Sequence, residues 1–320
     1  MIYDLIIIGG GPAGITAGIY AARKYLKTLL LTKDFEGQIF SSAKIENYPG
    51  MEEISGFELS RKFKKHLLKF SCLGRKLEAG EIEIKEGDIV TEIFSKENLF
   101  EVKTKDKKSF IAKSIIIATG ASPRKLEVPG AKEFEGKGIS FCETCDGSFF
   151  KDKEVAVVGA GNAGLEAAEE LAEYTKKVYI LESERKIPGD SMLLERLKKK
   201  SNIEIMANVE IKEIKGKIFV EKIIFFDKKN NKEKEINING IFVKIGQVPN
   251  SDFVKNFVAV NERKEIIVNS KTLETSRKGV FAAGDVTDIF YKQYIIAAGE
   301  GAKAALSSFK FLSGKREFNA

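Results

Sequence analysis

The sequence predicts an α/β protein built from two doubly wound units, the second inserted into the first. Three observations predict it. A strand, glycine loop, helix and strand occur in that order twice, over residues 5–31 and 155–181. Short apolar runs lack the alternation of a half-exposed strand, as expected where both faces are buried. Three further apolar runs, at 115–120, 241–246 and 279–285, end in small residues, two of them after the second loop. A chain of 320 residues is also long enough for two domains of roughly 100–200 residues each.

The first unit opens on Leu5-Ile6-Ile7-Ile8, followed by Gly9-Gly10-Gly11-Pro12-Ala13-Gly14. An alanine-rich helix is expected over 15–25 and a strand at Leu29-Leu30-Leu31. The glycines permit a tight turn and close approach to a pyrophosphate at the positive end of the helix. A dinucleotide site also expects an acid about 20 residues later, for the ribose hydroxyls. Asp34 is at that distance, with Glu36 nearby, but neither falls cleanly at the strand end.

The second unit repeats the pattern. Val155-Ala156-Val157-Val158 leads into Gly159-Ala160-Gly161-Asn162-Ala163-Gly164, a helix over 165–174 and a strand at Val178-Tyr179-Ile180-Leu181. Glu182 closes that strand, about 18 residues after the last glycine. A carboxylate there accepts from a ribose 2′-hydroxyl and repels a 2′-phosphate, and Ser183 and Glu184 follow rather than arginine. The local chemistry therefore favours NADH over NADPH, bound through Gly159, Gly161, Asn162, Ala163, Gly164 and Glu182. Two such loops in one chain mean two Rossmann-like dinucleotide sites, or one real site and a relic; two complete units favour two sites, a retained flavin and an exchanging nicotinamide.

Between the loops, an amphipathic helix is expected over 56–70 and antiparallel strands over 82–102. The strand ending in Gly284-Asp285 brings a carboxylate beside bound cofactor, and a helix over 295–312 ends the chain. Residues 116–247 are expected to form the inserted nicotinamide domain, and 1–115 with 248–320 the flavin domain.

Composition narrows the chemistry. His66 is the single histidine, which argues against a Ser-His-Asp triad and against a His-rich metal site. Cys72, Cys142 and Cys145 are too few for a disulfide scaffold, and an odd count fits a reducing compartment. No apolar run approaches a membrane span, and Met1-Ile2-Tyr3-Asp4 lacks a signal peptide's basic lead-in. A soluble, cytosolic protein is expected. The net charge of +7 comes from lysines interleaved with glutamates, a solvated surface rather than a nucleic-acid stripe.

Cys142-Glu143-Thr144-Cys145-Asp146 precedes the second loop. Half of a zinc site would need two more ligands, and only Cys72 and His66 remain. Two inert cysteines are a second reading. A redox dithiol is the third and is preferred, because this spacing allows a small disulfide ring and one thiol of lowered pKa. Asp146 is either a proton carrier for thiol–disulfide exchange or a turn residue before Gly147. Cys72 is expected to be a buried small residue, and His66 a surface one.

These blocks together identify a resemblance. With Glu46-Asn47-Tyr48-Pro49-Gly50, Ala118-Thr119-Gly120, Cys142 to Gly147, and Gly284-Asp285 with Tyr291-Lys292-Gln293, the chain resembles the low-molecular-weight thioredoxin reductases along nearly its whole length. The resemblance implies bound FAD, a homodimer and an inserted nicotinamide domain that rotates between two orientations. It implies that Cys145 lies nearest the flavin, that Cys142 attacks the partner's disulfide, and that Asp146 donates the proton. FAD would be held by Gly9, Gly11, Pro12, Ala13 and Gly14, by Thr32, Gly37, Gln38 and Asn47, and by Ala118, Thr119 and Gly120. Gly284, Asp285, Lys292, Gln293 and Tyr294 complete that set, and the last helix would point its positive end at the flavin.

One departure matters. Where NADPH-type members carry a basic His-Arg-Arg stretch, this chain has Glu182-Ser183-Glu184. In that respect the second domain, with 241–250 and 279–312, is similar to the flavoprotein component of alkyl hydroperoxide reductase, which uses NADH. The N-terminal thioredoxin-like domain of that flavoprotein is expected to be absent, since the first strand begins almost at Met1. The expected acceptor is thioredoxin, or a glutaredoxin-like protein feeding a peroxiredoxin. The alternatives are a flavin thiol oxidase and a non-catalytic flavin redox sensor.

Overall fold

A computed structural model describes residues 1–38, 45, 47–72 and 74–314, the side chains of Thr144 and Cys145 excepted. Glu46 and the Cys145 side chain, both singled out above, therefore lie outside the described residues.

Strand β1 (Ile2–Ile8) is buried on both faces. Leu5 and Ile7 pack with Ala17 and Ala21 of helix α1 (Pro12–Arg23), while Ile6 and Ile8 face a separate cluster with Leu29 and Leu31. Helix α1 begins at Pro12 rather than at 15, because proline's fixed φ suits a first turn and its missing N–H has no partner there anyway. Strand β2 (Thr28–Thr32) runs parallel to β1. Helix α2 (Gly56–Leu68) starts at a serine N-cap: Glu58 N–H donates to Ser55 Oγ, whose hydroxyl donates to the Glu58 carboxylate.

Strand β3 (Ile82–Glu86) corrects an expectation, since it pairs with β2 in parallel rather than antiparallel. Helix α2 supplies the crossover that a parallel neighbour requires. Strands β4 (Val90–Lys96), β5 (Leu99–Thr104) and β6 (Ser109–Ile117) then form an antiparallel meander. Strand β6 also pairs along its length with β1, in parallel. The chain leaves this unit through β7 (Ala121–Pro123). The unit comprises Met1–Ser122 with Val248–Ala320, and the second comprises Pro123–Gln247. The expected crossing at 116 is thus too early, because Ile116 and Ile117 are still hydrogen-bonded strand in the first sheet.

The second unit opens with β8 (Ile139–Ser140), the single turn α3 (Glu143–Asp146) and a 3₁₀ turn, Gly147–Phe150. Strand β9 (Glu154–Val158), helix α4 (Asn162–Leu171) and strand β10 (Lys177–Glu182) follow. Helix α5 (Ser191–Leu197) leads to β11 (Ile203–Ala207). The antiparallel meander β12 (Val209–Gly216), β13 (Val220–Asp227) and β14 (Lys232–Asn237) precedes β15 (Gly240–Val243). The parallel sheet has the order β11-β10-β9-β15-β8.

The chain returns through β16 (Gln247–Pro249), which pairs with β7. Strand β17 (Val280–Ala282) pairs in parallel with Ile115–Ile117 at the end of β6. The parallel part of the first sheet is therefore β3-β2-β1-β6-β17, the same pattern as the second. The 19-residue helix α6 (Tyr294–Leu312) packs on α1 so closely that a Cβ on Gly301 would lie 2.0 Å from the Ala13 carbonyl oxygen. Among the described residues no helix is long and apolar enough to cross a membrane.

This crossing yields a stability prediction. Gly301→Ala forces α6 away from α1 and should destabilise the first unit by about 1–3 kcal/mol. Denaturant titration should show an earlier transition for that unit, with the second unit's transition unmoved.

Candidate active site

Each glycine loop separates what the chain needs from what it leaves open. At Gly9 the backbone has φ +117°, and a Cβ would fall 2.1 Å from the Ala118 carbonyl oxygen. At Gly14 a Cβ would fall 1.9 Å from the Gly9 carbonyl oxygen. Gly11 differs: it has φ −78°, open to any residue, and its Cβ would meet nothing within 4 Å. The second loop repeats this. A Cβ on Gly159 would fall 2.4 Å from the Lys244 oxygen, one on Gly164 would fall 2.0 Å from the Gly159 oxygen, and Gly161 faces open space.

Folding thus accounts for the outer glycines but not for Gly11 or Gly161. Both cap helices without a side-chain hydrogen bond, leaving the first N–H groups for an anion. The cradles fit two pyrophosphates. Pro12 and Ala13, like Asn162 and Ala163, form the first turns beneath them.

The strand ends after the loops differ. In the first unit Thr32 Oγ1 donates to the Asp34 carbonyl at 2.5 Å, and Asp34 Oδ1 accepts Glu36 and Gly37 N–H at 3.1 and 3.2 Å. Asp34 is therefore a turn former beyond β2, and Glu36 is exposed. In the second unit Glu182 is buried at the end of β10, its Oε2 accepting Ala160 N–H at 2.8 Å. Its Oε1 accepts Glu184 N–H at 3.0 Å and the Ser183 hydroxyl at 3.2 Å. A carboxylate has about four acceptor positions, so one remains for a ribose hydroxyl. Arg185 and Lys186, a few residues on, are exposed.

Several expected flavin residues converge in the first unit. Gln38 Nε2 donates to the Ala121 carbonyl at 2.9 Å and to Asp285 Oδ2 at 3.4 Å. Tyr294 at the start of α6 donates to the Gln38 carbonyl at 3.3 Å, and Asn47 Nδ2 donates to Gln293 Oε1 at 3.2 Å. Burial pushes the Asp285 carboxyl above its ordinary range, against the pull of Lys292 and Gln38. A carboxylate that accepts one long hydrogen bond from the described residues fits a polyhydroxyl chain, which would bring O–H donors. Lys292 itself points elsewhere, to the Thr287 carbonyl and to Glu265 at 3.5 Å. It braces the Asp285 loop.

Two residues in this cluster escape sequence reasoning. Asn250 donates to the Thr119 carbonyl at 2.9 Å, accepts Ser122 Oγ at 2.8 Å and donates its own N–H to the Gly120 carbonyl. Buried Glu300, in the second turn of α6, accepts Gly284 N–H at 2.7 Å. Its carboxyl is pushed up by burial, opposed by that hydrogen bond and by Lys292. No local spacing announces either contact, because each partner comes from a different element.

Cys142 is disulfide-bonded, and Cys72, in the first unit, is a buried free thiol. Glu143 forms a half-buried ion pair with Lys244, whose Nζ also donates to the Phe141 carbonyl at 3.0 Å. On α4, burial and the nearby Glu143 charge push the Glu166 carboxyl up, partly offset by Lys244. Asp146 Oδ2 accepts the Ser140 hydroxyl at 2.5 Å. Gly147 is held against Tyr174, whose hydroxyl would lie 2.1 Å from a Cβ there. His66 is exposed on α2, its ring beside Phe70.

Comparison with known proteins agrees with this geometry. A family model described as pyridine nucleotide-disulphide oxidoreductase matches residues 3–303, and the chain belongs to that family. It is 40% identical over 314 residues to the F component of alkyl hydroperoxide reductase from Pseudomonas aeruginosa, covering 97% of this chain and 58% of that protein. The chain therefore spans under two thirds of that relative's length. It is similar to the thioredoxin reductase of Lactococcus lactis, with 36% identity, a TM-score of 0.88, and 98% and 99% of the two chains covered. The thioredoxin reductase of T. acidophilum is also 36% identical, with a TM-score of 0.85 and 97% and 98% covered.

The open glycines can be tested directly. Gly161→Ala should change folding stability by no more than about 1 kcal/mol, the scale of an altered helix cap. Pyridine nucleotide affinity should fall at least about tenfold, equivalent to about 1.4 kcal/mol, when titrated by fluorescence.

Proposed function

We propose that this chain is an FAD-dependent disulfide reductase. It takes reducing equivalents from NADH and delivers them through the Cys142–Cys145 dithiol to a thioredoxin-like protein. The observation that carries this reading is the disulfide-bonded Cys142 on the unit that also holds the second open glycine loop. One unit thus contains both the nucleotide cradle and the thiol chemistry, while the other offers the second cradle and the Asp285 cluster.

The residues divide the work. Gly11 and the N-terminus of α1 would admit the FAD pyrophosphate, and Asp285, Gln38 and Asn47 would meet its hydroxyls and ring edge. When bound, FAD supplies the exchange between a two-electron hydride and the electrons of a dithiol. Gly161 and the N-terminus of α4 would take the nicotinamide coenzyme's pyrophosphate. Glu182 would accept from its ribose and repel a 2′-phosphate.

Cys142 would attack the partner's disulfide, Cys145 would close the internal disulfide, and Asp146 would move the proton. The relatives include both thioredoxin reductases and the F component of alkyl hydroperoxide reductase. The acceptor is accordingly thioredoxin, or a glutaredoxin-like carrier that feeds a peroxiredoxin; a homodimeric working form is what the resemblance to thioredoxin reductases implies.

Stopped-flow reduction of the yellow protein by each coenzyme tests the first half. NADH should exceed NADPH in kcat/KM by at least about tenfold, or about 1.4 kcal/mol. Equal or better use of NADPH would transfer the choice of coenzyme to Arg185 and Lys186. Replacing Cys142 by Ser tests the second half. It should leave flavin reduction by NADH intact and abolish reduction of a thioredoxin-like disulfide, and survival of that activity would remove the dithiol from the path.

A further inference from the structure

We propose that Ser140 is the positioning residue for the proton carried by Asp146, an inference that rests on the disulfide-reductase reading above. Ser140 ends β8, buried beneath the dithiol turn. Its hydroxyl oxygen lies 2.5 Å from Asp146 Oδ2 and 3.2 Å from the Cys142 carbonyl oxygen, and accepts Cys142 N–H at 3.0 Å. One hydroxyl therefore touches the acid and both backbone groups of the attacking cysteine.

The donor and acceptor inventory explains why a hydroxyl is needed. A serine hydroxyl has one proton to give and two lone pairs to fill. With Asp146 ionised, Ser140 donates to Oδ2 and accepts from Cys142 N–H. With Asp146 protonated, the acid donates to Ser140 Oγ, and the serine proton turns to the Cys142 carbonyl. That carbonyl accepts Asp146 N–H at 3.1 Å, and the Ser140 hydroxyl lies within donating distance of it at 3.2 Å. Both arrangements use the same Ser140–Asp146 and Ser140–Cys142 heavy-atom contacts that the structure shows.

The reaction served is balanced. The dithiol loses two electrons and two protons as its S–S bond forms. The outside disulfide gains them as its S–S bond breaks and two thiols appear. Asp146 hands one proton to a departing thiolate and recovers one from the dithiol. In this scheme Ser140 acts through Asp146.

A double-mutant cycle in the FAD-loaded full chain tests this, with flavin reduction by NADH as the integrity control and reduction of a thioredoxin-like disulfide as the readout. Asp146→Asn should slow disulfide reduction by roughly a hundredfold, the scale of a lost general acid. Ser140→Ala should slow it roughly tenfold in the parent and under about twofold in the Asp146→Asn background. Ser140→Thr, which keeps the hydroxyl, should restore most of the rate.

If Asp146→Asn reacts at the parent rate, the proton role of Asp146 fails, and the functional reading must change. If Asp146→Asn is slow but Ser140→Ala is not, only the role of Ser140 fails. Equal slowing by Ser140→Ala in both backgrounds would mark Ser140 as a structural anchor of the Cys142 turn and overturn the inference.

Discussion

The constraint on which both units depend is the contact between the first and third glycines of each loop. A helix can start beside the strand it follows only if its backbone comes close to the strand's last carbonyl. The clearance is nearly the same in both units: a Cβ would sit 1.9 Å from the oxygen at Gly14 and 2.0 Å at Gly164. Any side chain there would lift the helix away and tilt its N–H groups off the loop. The helix axis, the strand end and the open loop between them are thus fixed by one close backbone approach. Gly301 extends the same logic outward, seating α6 on the back of α1 so that Tyr294 meets Gln38. The cluster of Gln38, Asp285 and Tyr294 is the downstream end of a chain of backbone contacts that begins at Gly9.

The sequence is legible where chemistry and chain order coincide. The two glycine loops, the strands feeding them, Glu182 at its strand end and the C-x-x-C turn are each written in consecutive residues. Their structural counterparts differ mainly at the edges, as when α1 starts at Pro12 and α4 at Asn162. Direction is harder. Residues 82–86 alternate weakly, like an antiparallel strand, and only the helix before them decides for parallel pairing. The unit boundary is missed because β6 continues through an apolar run that also resembles a new start.

Much of the site is not legible for a related reason. Asn250 holds Thr119 and Gly120, Glu300 holds Gly284, and Lys244 pairs with Glu143, none of them announced by a local pattern. Asp34 shows the opposite failure. Its spacing suits a ribose ligand, but it lies past the end of β2, in a turn whose Glu36 and Gly37 N–H groups its Oδ1 accepts. Ser140 is invisible for a subtler reason, since a serine ending a two-residue strand has no pattern at all. Only the three atoms around its hydroxyl give it meaning.

The way the second unit joins the first has a thermodynamic consequence. Its entry strand β8 pairs with its exit strand β15, and the linking strands β7 and β16 pair with each other. The second unit therefore holds its own two ends together. Once it has folded, the first unit no longer closes a long flexible loop to bring β6 and β17 side by side. The chain between them behaves as a short, pre-closed link, and most of the loop-closure entropy is removed in advance. The order of folding events is thereby biased from within: the inserted unit, whose own strands are contiguous in sequence, acts as the clasp on which the interrupted unit completes its sheet.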